Sequence, residues 1–376
     1  MIYSYVAPCL FGLEGLVADE LRHLGASDVN AQNGRVLFRG DAAIGVRANI
    51  CSRYAERILL MAGSFEARTF DELFEGTKAQ NWHDFMGKRD AFPVKGWSLE
   101  SQLHSIPDCQ KIIKKAVAVS LGAHYGTDWL EETGCIYQLH FSIHKDVVTL
   151  CIDMSGEGLH KRGYRKNSAE APLKETLAAA MVYLSRIYPD SAVYDPFCGS
   201  GTILIEAAMQ AMNIAPGINR SFAAERFPLF PAKLWQKERN TAMNAITRDV
   251  TFVGYGSDID SNAIALTFEN AKKAGVGGKI KASAVPIDDF EIVTPRAVVI
   301  TNPPYGERLL DIEEASRIYS VMGRVFEDKP GCKYTIISPS DQFEQEFGRK
   351  ADKRRKLYNG MIKCQLFMYY KYKKDV

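Results

Sequence analysis

Residues 192–202 read AVYDPFCGSGT, and no other stretch constrains the fold as strongly. The first four residues form a short apolar run typical of a buried strand, and the apolar residues that follow Thr202 recur at helical spacing. Two glycines, Gly199 and Gly201, lie between these patterns. A strand, a glycine-rich turn and a helix form the unit at which open α/β sheets bind ligands, because glycine lets the backbone approach a ligand at the helix N-terminus.

Three kinds of ligand compete for this glycine-rich turn. A P-loop needs Gly-Lys-Ser/Thr, whereas Gly201 is followed by Thr202 and Ile203, and a dinucleotide fingerprint needs a glycine at position 204, which is leucine. The remaining candidate is S-adenosylmethionine, whose ammonium group an acidic residue at the strand end can meet. We therefore predict that S-adenosylmethionine is the cofactor and that it contacts Asp195, Pro196, Phe197, Cys198, Gly199, Ser200, Gly201 and Thr202.

Two further carboxylates follow predicted strands. The strand pattern of residues 251–258 ends at Asp258, and a carboxylate at the end of the second strand can accept both ribose hydroxyls of a nucleoside. Asp260 is predicted to cap the next helix instead. Asp289 follows a third strand pattern and is predicted to reach the adenine amino group, with a solvated loop carboxylate as the alternative.

Residues 302–305 read NPPY directly after the apolar run of residues 297–300. The Asn302 side-chain oxygen and the Pro303 carbonyl can accept the two N–H groups of an exocyclic amine, which localises the nitrogen lone pair for attack on a methyl group. Pro303 and Pro304 fix φ and remove two backbone donors, so the carbonyls keep their direction. Tyr305 offers a ring on which an extruded base can stack. The alternative is a rigid loop with a packed tyrosine.

These two motifs resemble those of class I methyltransferases, and specifically of bacterial RNA methyltransferases often labelled N6-adenine-specific DNA methylases. Residues 8–25 resemble the ferredoxin-like lead-in of large-subunit rRNA guanine-N2 methyltransferases, and residues 47–154 resemble a THUMP domain, an RNA-binding module. The resemblance implies RNA as the substrate and guanine N2 as the target. The tetrad does not distinguish guanine N2 from adenine N6, since both amines need the same acceptors. An N6-adenine methyltransferase acting on DNA or RNA and a non-catalytic RNA-binding factor are the alternatives.

The predicted fold class is α/β. A Rossmann-like class I methyltransferase domain, with a mainly parallel seven-stranded sheet, is expected to end in an antiparallel hairpin on the Asn359-Gly360 turn. An α+β ferredoxin-like and THUMP region precedes it. The predicted division is a lead-in at residues 1–50, a THUMP RNA-binding domain at 51–155, a linker at 156–170 and a methyltransferase domain at 171–376.

Local basic clusters are the predicted RNA contacts, because the net charge is only +2. Three lysines fall at helical spacing and can share one face, and four cations lie in the linker; solvated faces are the alternative. Between residues 220 and 239, basic and aromatic residues alternate in an insertion that either positions the target nucleotide or packs as an extra helix. The predicted RNA-binding residues are Lys111, Lys114, Lys115, Lys161, Arg162 and Arg165.

Composition excludes several classes of protein. No apolar run approaches the ~20 residues that span a bilayer, and the N-terminus lacks the pattern of a secretion signal. The eight cysteines include no C-x-x-C pair, which argues against a structural zinc site or a disulfide scaffold and favours a reducing cytoplasm. We expect no metal, and we expect Cys198 to be a packing residue, since no activating base is evident.

Overall fold

The structure is a computed structural model, and it describes residues 1–165, 173–305 and 312–371. Within these ranges the chain forms ten α-helices and fourteen β-strands. The helices are α1 (Glu14–His23), α2 (Ala42–Cys51), α3 (Phe70–Lys78), α4 (Ile106–Tyr125), α5 (Glu175–Leu184), α6 (Thr202–Ala211), α7 (Ala232–Asn244), α8 (Ser261–Lys273), α9 (Ile312–Val325) and α10 (Phe343–Phe347). The strands are β1 (Tyr3–Pro8), β2 (Ser27–Gln32), β3 (Arg35–Gly40), β4 (Leu59–Glu66), β5 (Val94–Leu99), β6 (Leu139–His144), β7 (Val147–Asp153), β8 (Ala192–Asp195), β9 (Val253–Asp258), β10 (Ile280–Ala284), β11 (Ala297–Thr301), β12 (Cys332–Ser338), β13 (Lys353–Asn359) and β14 (Ile362–Tyr369).

The chain divides into two compact units, of which the first comprises Met1–Cys9, Val17–Leu159 and Ser221–Thr241. Its seven strands follow the order β2-β3-β1-β4-β7-β6-β5, and only β5 and β6 pair in parallel. Helix α4 ends at Gly126, whose φ of +63° is the left-handed conformation that glycine adopts most readily. The buried residues of α4, from Cys109 to Leu121, recur every three or four positions, which gives the helix one apolar face.

The insertion between α6 and β9 packs within this first unit. Phe227 stacks on Tyr137 with 4.0 Å between ring centroids, and Phe222 stacks on Trp235 at 5.1 Å. The backbone N–H of Ala224 donates to the Met154 carbonyl at 3.0 Å. Of the two expectations for this segment, the structure therefore gives its aromatic side chains a packing role.

The second unit comprises Leu10–Leu16, His160–Arg220 and Ala242–Val376. Its sheet has the order β10-β9-β8-β11-β12-β14-β13, in which the first five strands are parallel. Strands β13 and β14 form an antiparallel hairpin, with Gly360 at φ +63° in the turn, and β14 pairs antiparallel with β12. The predicted α/β fold class and its C-terminal hairpin are confirmed. No helix of the described part of the chain is long and apolar enough to cross a membrane.

The order of strands in this sheet locates the site. Strand β8 is the first strand of this sheet in the sequence. The next two strands, β9 and β10, lie in order on one side of β8, whereas β11 lies on its other side. The reversal point lies between β8 and β11, and ligands bind open α/β sheets beyond the carboxyl ends of the strands at such a point. Asp195 ends β8 and Thr301 ends β11, so the glycine turn and the NPPY tetrad emerge side by side.

Candidate active site

A hydrogen bond joins the two motifs at their strand ends. The Thr301 hydroxyl donates to Asp195 Oδ1 at 2.7 Å, and the Phe197 backbone N–H donates to the same oxygen at 3.2 Å. Thr301 and Asp195 are both buried. The side chain that was predicted to meet the cofactor ammonium therefore also fixes β8 against β11. Sequence analysis did not single out Thr301, although a polar residue at the end of an apolar strand was a signal for it.

The Asp195 carboxylate is buried without a cationic partner among the described residues. Burial raises the pKa of this carboxyl from 3.8 to about 7; the hydrogen bonds from Thr301 and Phe197 lower it, and the nearby Asp258 charge raises it further. A carboxylate held this way is destabilised when ionised, and a ligand ammonium would compensate for that cost. This observation fits the amino acid end of S-adenosylmethionine.

The raised pKa of Asp195 predicts how Asp195→Asn changes stability. Between about pH 4 and pH 7 the folded protein holds a proton that the unfolded chain has lost, so the carboxyl destabilises the fold increasingly as the pH rises and fully above pH 7. Asp195→Asn should therefore raise the free energy of unfolding at pH 8 by roughly 2–4 kcal/mol, since one pKa unit corresponds to about 1.36 kcal/mol.

The same substitution should weaken cofactor binding at pH 8 by about tenfold or more, because it removes the charge that is predicted to face the cofactor ammonium. Urea unfolding at pH 8 and pH 5 measures the first effect, and the gain should shrink at the lower pH. Calorimetric titration measures the second effect. A variant that is less stable than the parent at pH 8 contradicts this account of Asp195.

Two glycines shape the turn for different reasons. At Gly201, with φ +78°, an added Cβ would lie 2.9 Å from Thr267 Cγ2, so packing against α8 requires glycine. At Gly199, with φ +51°, nothing lies within 4 Å of the position that a Cβ would take. The backbone at Gly199 is therefore open to a ligand, whereas the backbone at Gly201 is held by its neighbours.

Two buried side chains of α8 fix the carbonyls of this turn. The Thr267 hydroxyl donates to the Gly199 carbonyl at 2.9 Å, and the Asn270 side-chain amide donates to the Ser200 carbonyl at 3.0 Å. Both residues are fully buried. Sequence analysis missed them, although polar residues three positions apart on the inner face of a helix were a signal. These two hydrogen bonds hold the backbone of the turn in a fixed position against α8.

Asp258 lies at the end of β9, beside the turn. Its Oδ2 accepts the Gly199 N–H at 2.9 Å and its Oδ1 accepts the Asp260 N–H at 3.0 Å, which leaves a lone pair on each oxygen for a diol. Asp260 caps α8 by accepting the Asn262 N–H at 2.8 Å, as predicted. Asp289 is exposed at the end of a short 3₁₀ helix, Ile287–Asp289, and its role remains a prediction.

Within the tetrad, the asparagine oxygen that was predicted to accept from the substrate amine already has a hydrogen-bond donor. The Tyr305 hydroxyl donates to Asn302 Oδ1, so the asparagine oxygen is already engaged and the ring is tied to it. Burial raises the pKa of Tyr305 well above its ordinary value, and the hydroxyl remains a donor.

The two proline carbonyls of the tetrad differ in their partners. The Tyr319 hydroxyl donates to the Pro304 carbonyl at 3.3 Å, whereas the Pro303 carbonyl has no partner within the described ranges. An amide oxygen has two lone pairs, so Asn302 keeps one for a substrate amine. The resemblance to class I methyltransferases continues from the tetrad to Leu309, and residues 306–309 lie outside the described residues.

Two of the predicted RNA contacts are largely withdrawn from the surface, which argues against the sequence prediction: Arg162 is buried, and the Arg165 side chain is 11% exposed. The Arg162 side chain is 2% exposed and pairs with Glu206 at 3.4 Å. Arg165 pairs with Glu175 at 3.6 Å and donates to the Thr202 hydroxyl at the start of α6. These cations are buried because they neutralise carboxylates on α5 and α6, and a glutamate within the apolar helix α6 was the signal for a buried partner.

The other predicted RNA contacts lie at the surface. Lys111, Lys114 and Lys115 are exposed along α4, where Lys114 pairs with Glu132 at 2.9 Å and Lys111 lies 3.8 Å from Asp108. Lys161 is also exposed. Their contact with RNA remains a prediction.

The cysteines and carboxylates of the site do not suggest other chemistry. Cys198 is buried, and burial raises the pKa of its thiol, which keeps it in the unreactive protonated form. Across the residues that the structure describes, no group of three or more His, Cys, Asp or Glu side chains could hold a metal ion.

Three family models match the chain in succession. The RlmL ferredoxin-like domain matches residues 4–59, the THUMP domain matches residues 67–153, and the RMKL-like methyltransferase domain matches residues 162–367. The last of these covers the glycine turn, the Asp258 strand end and the tetrad together.

Known proteins resemble the chain over most of its length. The Bacillus subtilis protein described as "Putative RNA methyltransferase YpsC" is 44% identical over 98% of this chain and 96% of its own. The ribosomal RNA large subunit methyltransferase K/L of Cellvibrio japonicus is 33% identical over 98% of this chain, which spans about half (51%) of that relative. Among solved structures, SMU.472 complexed with SAH is 40% identical, with a TM-score of 0.93 and coverage of 100% of this chain and 99% of that one.

Proposed function

Because the chain belongs to the RMKL-like methyltransferase family, we propose that it transfers a methyl group from S-adenosylmethionine to the N2 amino group of a guanine in large-subunit ribosomal RNA. One observation carries the reaction type: the glycine turn and the NPPY tetrad emerge from the neighbouring strands β8 and β11 at the point where the sheet order reverses. This arrangement puts cofactor-binding backbone beside acceptors for an amine.

The residues of the turn would hold the cofactor by its two ends. Asp195 would face the ammonium and Asp258 would accept the ribose hydroxyls, while the open backbone at Gly199 leaves room between them. When bound, S-adenosylmethionine supplies an electrophilic methyl group on a sulfonium. Asp289 is retained in this proposal as a contact to the adenine.

The tetrad would act on the amine of the target base. Asn302 Oδ1 and the Pro303 carbonyl accept its two N–H groups, which draws the nitrogen toward tetrahedral geometry and exposes its lone pair. Pro303 and Pro304 hold these acceptors in place, and Tyr305 packs on the face of the extruded base. Positioning of this kind supplies much of the rate. The nitrogen loses a proton readily once it carries positive charge, so no side chain must act as a strong base.

The two functions of Tyr305, its ring and its hydroxyl, can be separated by substitution. Tyr305→Phe keeps the ring and frees the Asn302 oxygen, so kcat/KM should stay within about threefold of the parent. Tyr305→Ala removes the stacking surface, which contributes roughly 1–3 kcal/mol per base, and kcat/KM should fall roughly 10- to 100-fold. Steady-state methyl transfer measures both variants. If Phe proves as damaging as Ala, then the hydroxyl rather than the ring serves the substrate.

The substrate class is tested by methyl transfer in parallel reactions. Radiolabelled S-adenosylmethionine is incubated with the protein and unmodified ribosomal RNA, transfer RNA or duplex DNA, and label is counted in the purified nucleic acid. We expect label in ribosomal RNA at least tenfold above the other two. Label confined to DNA would overturn the proposal and favour the alternative, an N6-adenine methyltransferase, because the tetrad suits both amines.

The division of the chain is part of the same proposal. Residues 51–155 would bind RNA through the exposed face of α4 that carries Lys111, Lys114 and Lys115, with Lys161 in the linker as a further contact. The remaining boundaries are the lead-in at residues 1–50 and the methyltransferase domain from residue 171 onward. We place the reaction in the cytoplasm, where ribosomal RNA is made and assembled.

A further inference from the structure

A cleft lies in the second unit, the one that contains the methyltransferase motifs, and it is away from the tetrad. It has a volume of about 710 Å³ and is lined by the segment that follows α5, by the first residues of β12 and β13, and by the last residues of β14. The cleft therefore lies at the amino end of the parallel strand β12, whereas the tetrad lies beyond the carboxyl end of its neighbour β11. Strand β12 has seven residues, and each residue extends a strand by ~3.3 Å. The cleft and the tetrad lie at opposite ends of these strands, so roughly 20 Å separates them.

The lining of this cleft is cationic. Four positively charged side chains line it and no aspartate or glutamate does; they are Arg186, Lys333, Lys353 and Arg355. Arg355 donates to the Gly12 carbonyl at 2.6 Å, which fixes its position. The other three have no carboxylate partner in the part of the chain that the structure describes. A low-dielectric cleft lined by one sign of charge attracts anions of the opposite sign.

Exposed tyrosine rings line the same cleft. Tyr188 is 61% exposed and Tyr370 is 48% exposed. A tyrosine ring that is neither buried nor screened by neighbours contributes little to the core, but it offers a flat surface to a base. Cations interleaved with exposed aromatic rings are the combination with which proteins bind single-stranded nucleic acid.

Arg186 has a left-handed backbone conformation that non-glycine residues adopt infrequently. Its φ is +53°, and its N–H donates to the Tyr183 carbonyl at 3.1 Å as the chain leaves α5. Glycine is the usual residue in this left-handed position after a helix. An arginine in this conformation is strained relative to glycine, which is consistent with a use for its side chain.

Protection of a sheet edge explains only part of this charge. Strand β13 is the edge of the sheet, and lysines on an edge strand oppose pairing with other chains. That role accounts for Lys353. It does not account for Arg186 after α5, for Lys333 on the interior strand β12, or for the tyrosines.

We propose that this cleft binds a single-stranded segment of the RNA substrate, outside the nucleotide that is methylated. Arg186, Lys333 and Lys353 contact phosphates, and bases stack on Tyr188 and Tyr370. The inference rests on the proposed function in that the substrate is RNA. It adds an anchoring contact on the methyltransferase unit itself, so that the RNA is held at a second point while the target base occupies the tetrad.

The test measures binding of a fluorescein-labelled, 20-nucleotide single-stranded RNA to the full chain by anisotropy. The double variant Arg186→Gln with Lys353→Gln should raise the Kd about tenfold at moderate salt. The slope of log K against log salt should become shallower by about 1.4, since each phosphate contact on a single strand contributes about 0.7. Arg248→Gln with Lys272→Gln is the matched control, because it removes one arginine and one lysine from exposed positions of the same unit. Its Kd should stay within twofold of the parent.

Two single substitutions separate binding from folding. Arg186→Gly relieves the left-handed strain, so the thermal midpoint should not fall while RNA affinity drops about threefold. Tyr188→Ala should weaken RNA binding about fivefold, whereas Tyr188→Phe, which keeps the ring, should not. Cofactor affinity, measured by calorimetry, should be unchanged in all of these variants.

Three outcomes would overturn the inference. One is a control variant that weakens RNA binding as much as the cleft variant, which would indicate a general charge effect. Another is a cleft variant with unchanged RNA affinity. The third is cleft-dependent binding of guanosine monophosphate without any change in RNA binding, which would make the cleft a site for a free nucleotide. Failure of the proposed function would give a different result. The parent protein would methylate no RNA, whichever RNA the variants bind.

Discussion

Asn302→Ala should lower kcat by roughly a thousandfold and leave cofactor affinity within a few-fold of the parent. In the proposed mechanism the asparagine oxygen acts on the amine in the transition state, and removal of one group of this kind costs about 10²–10³ in rate. Asn302 follows β11 and does not belong to the glycine turn that we propose binds the cofactor. Single-turnover methyl transfer gives the rate, and calorimetric titration gives the cofactor Kd.

Asn302→Asp is the companion variant. It keeps an acceptor oxygen for both the Tyr305 hydroxyl and the substrate amine, so it should retain more activity than Asn302→Ala. If Asn302→Ala loses cofactor binding together with activity, or lowers the thermal midpoint markedly, then Asn302 supports the loop rather than the chemistry.

Asp258→Ala should act in the opposite way and raise the cofactor Kd about a hundredfold. The substitution removes the charged acceptors proposed for two ribose hydroxyls, and hydrogen bonds to charged groups contribute about 1.5–3 kcal/mol each. It also releases the Gly199 N–H, which the carboxylate holds at 2.9 Å. At saturating cofactor, kcat should recover to within about tenfold of the parent.

The neighbouring Asp260→Ala is the control for that variant. Asp260 caps α8, so its removal should cost about 1 kcal/mol of stability while the cofactor Kd changes less than threefold. Unchanged affinity in Asp258→Ala, or an equal loss in Asp260→Ala, would refute the assignment of Asp258 to the ribose.

The parts of this site that lie next to each other in the sequence were predictable. A buried strand, a turn and a helix are set by local pattern, so the ends of β8, β9 and β11 could be located from residues 192–202, 251–258 and 297–305 alone. The right-handed crossovers of a parallel sheet then bring those ends to one edge. The hairpin of β13 and β14 was equally local, because its Asn-Gly turn specifies the connection.

The parts that depend on distant partners were not predictable. Thr267 and Asn270 hold the glycine turn from a helix almost 70 positions away, and their polarity alone did not name their acceptors. A charge run gave no indication that Arg162 and Arg165 are buried, because burial depends on carboxylates of α5 and α6. The bond from Tyr305 to Asn302 depends on side-chain rotation, which pattern does not report.

The identity of the methylated nucleoside tests whether the protein methylates guanine N2. Ribosomal RNA labelled by the parent protein would be digested to nucleosides and separated by chromatography with mass spectrometric detection. We expect N2-methylguanosine as the labelled product, absent when Asn302→Ala replaces the parent. N6-methyladenosine, or a methyl group on a ring nitrogen or ribose, would contradict it.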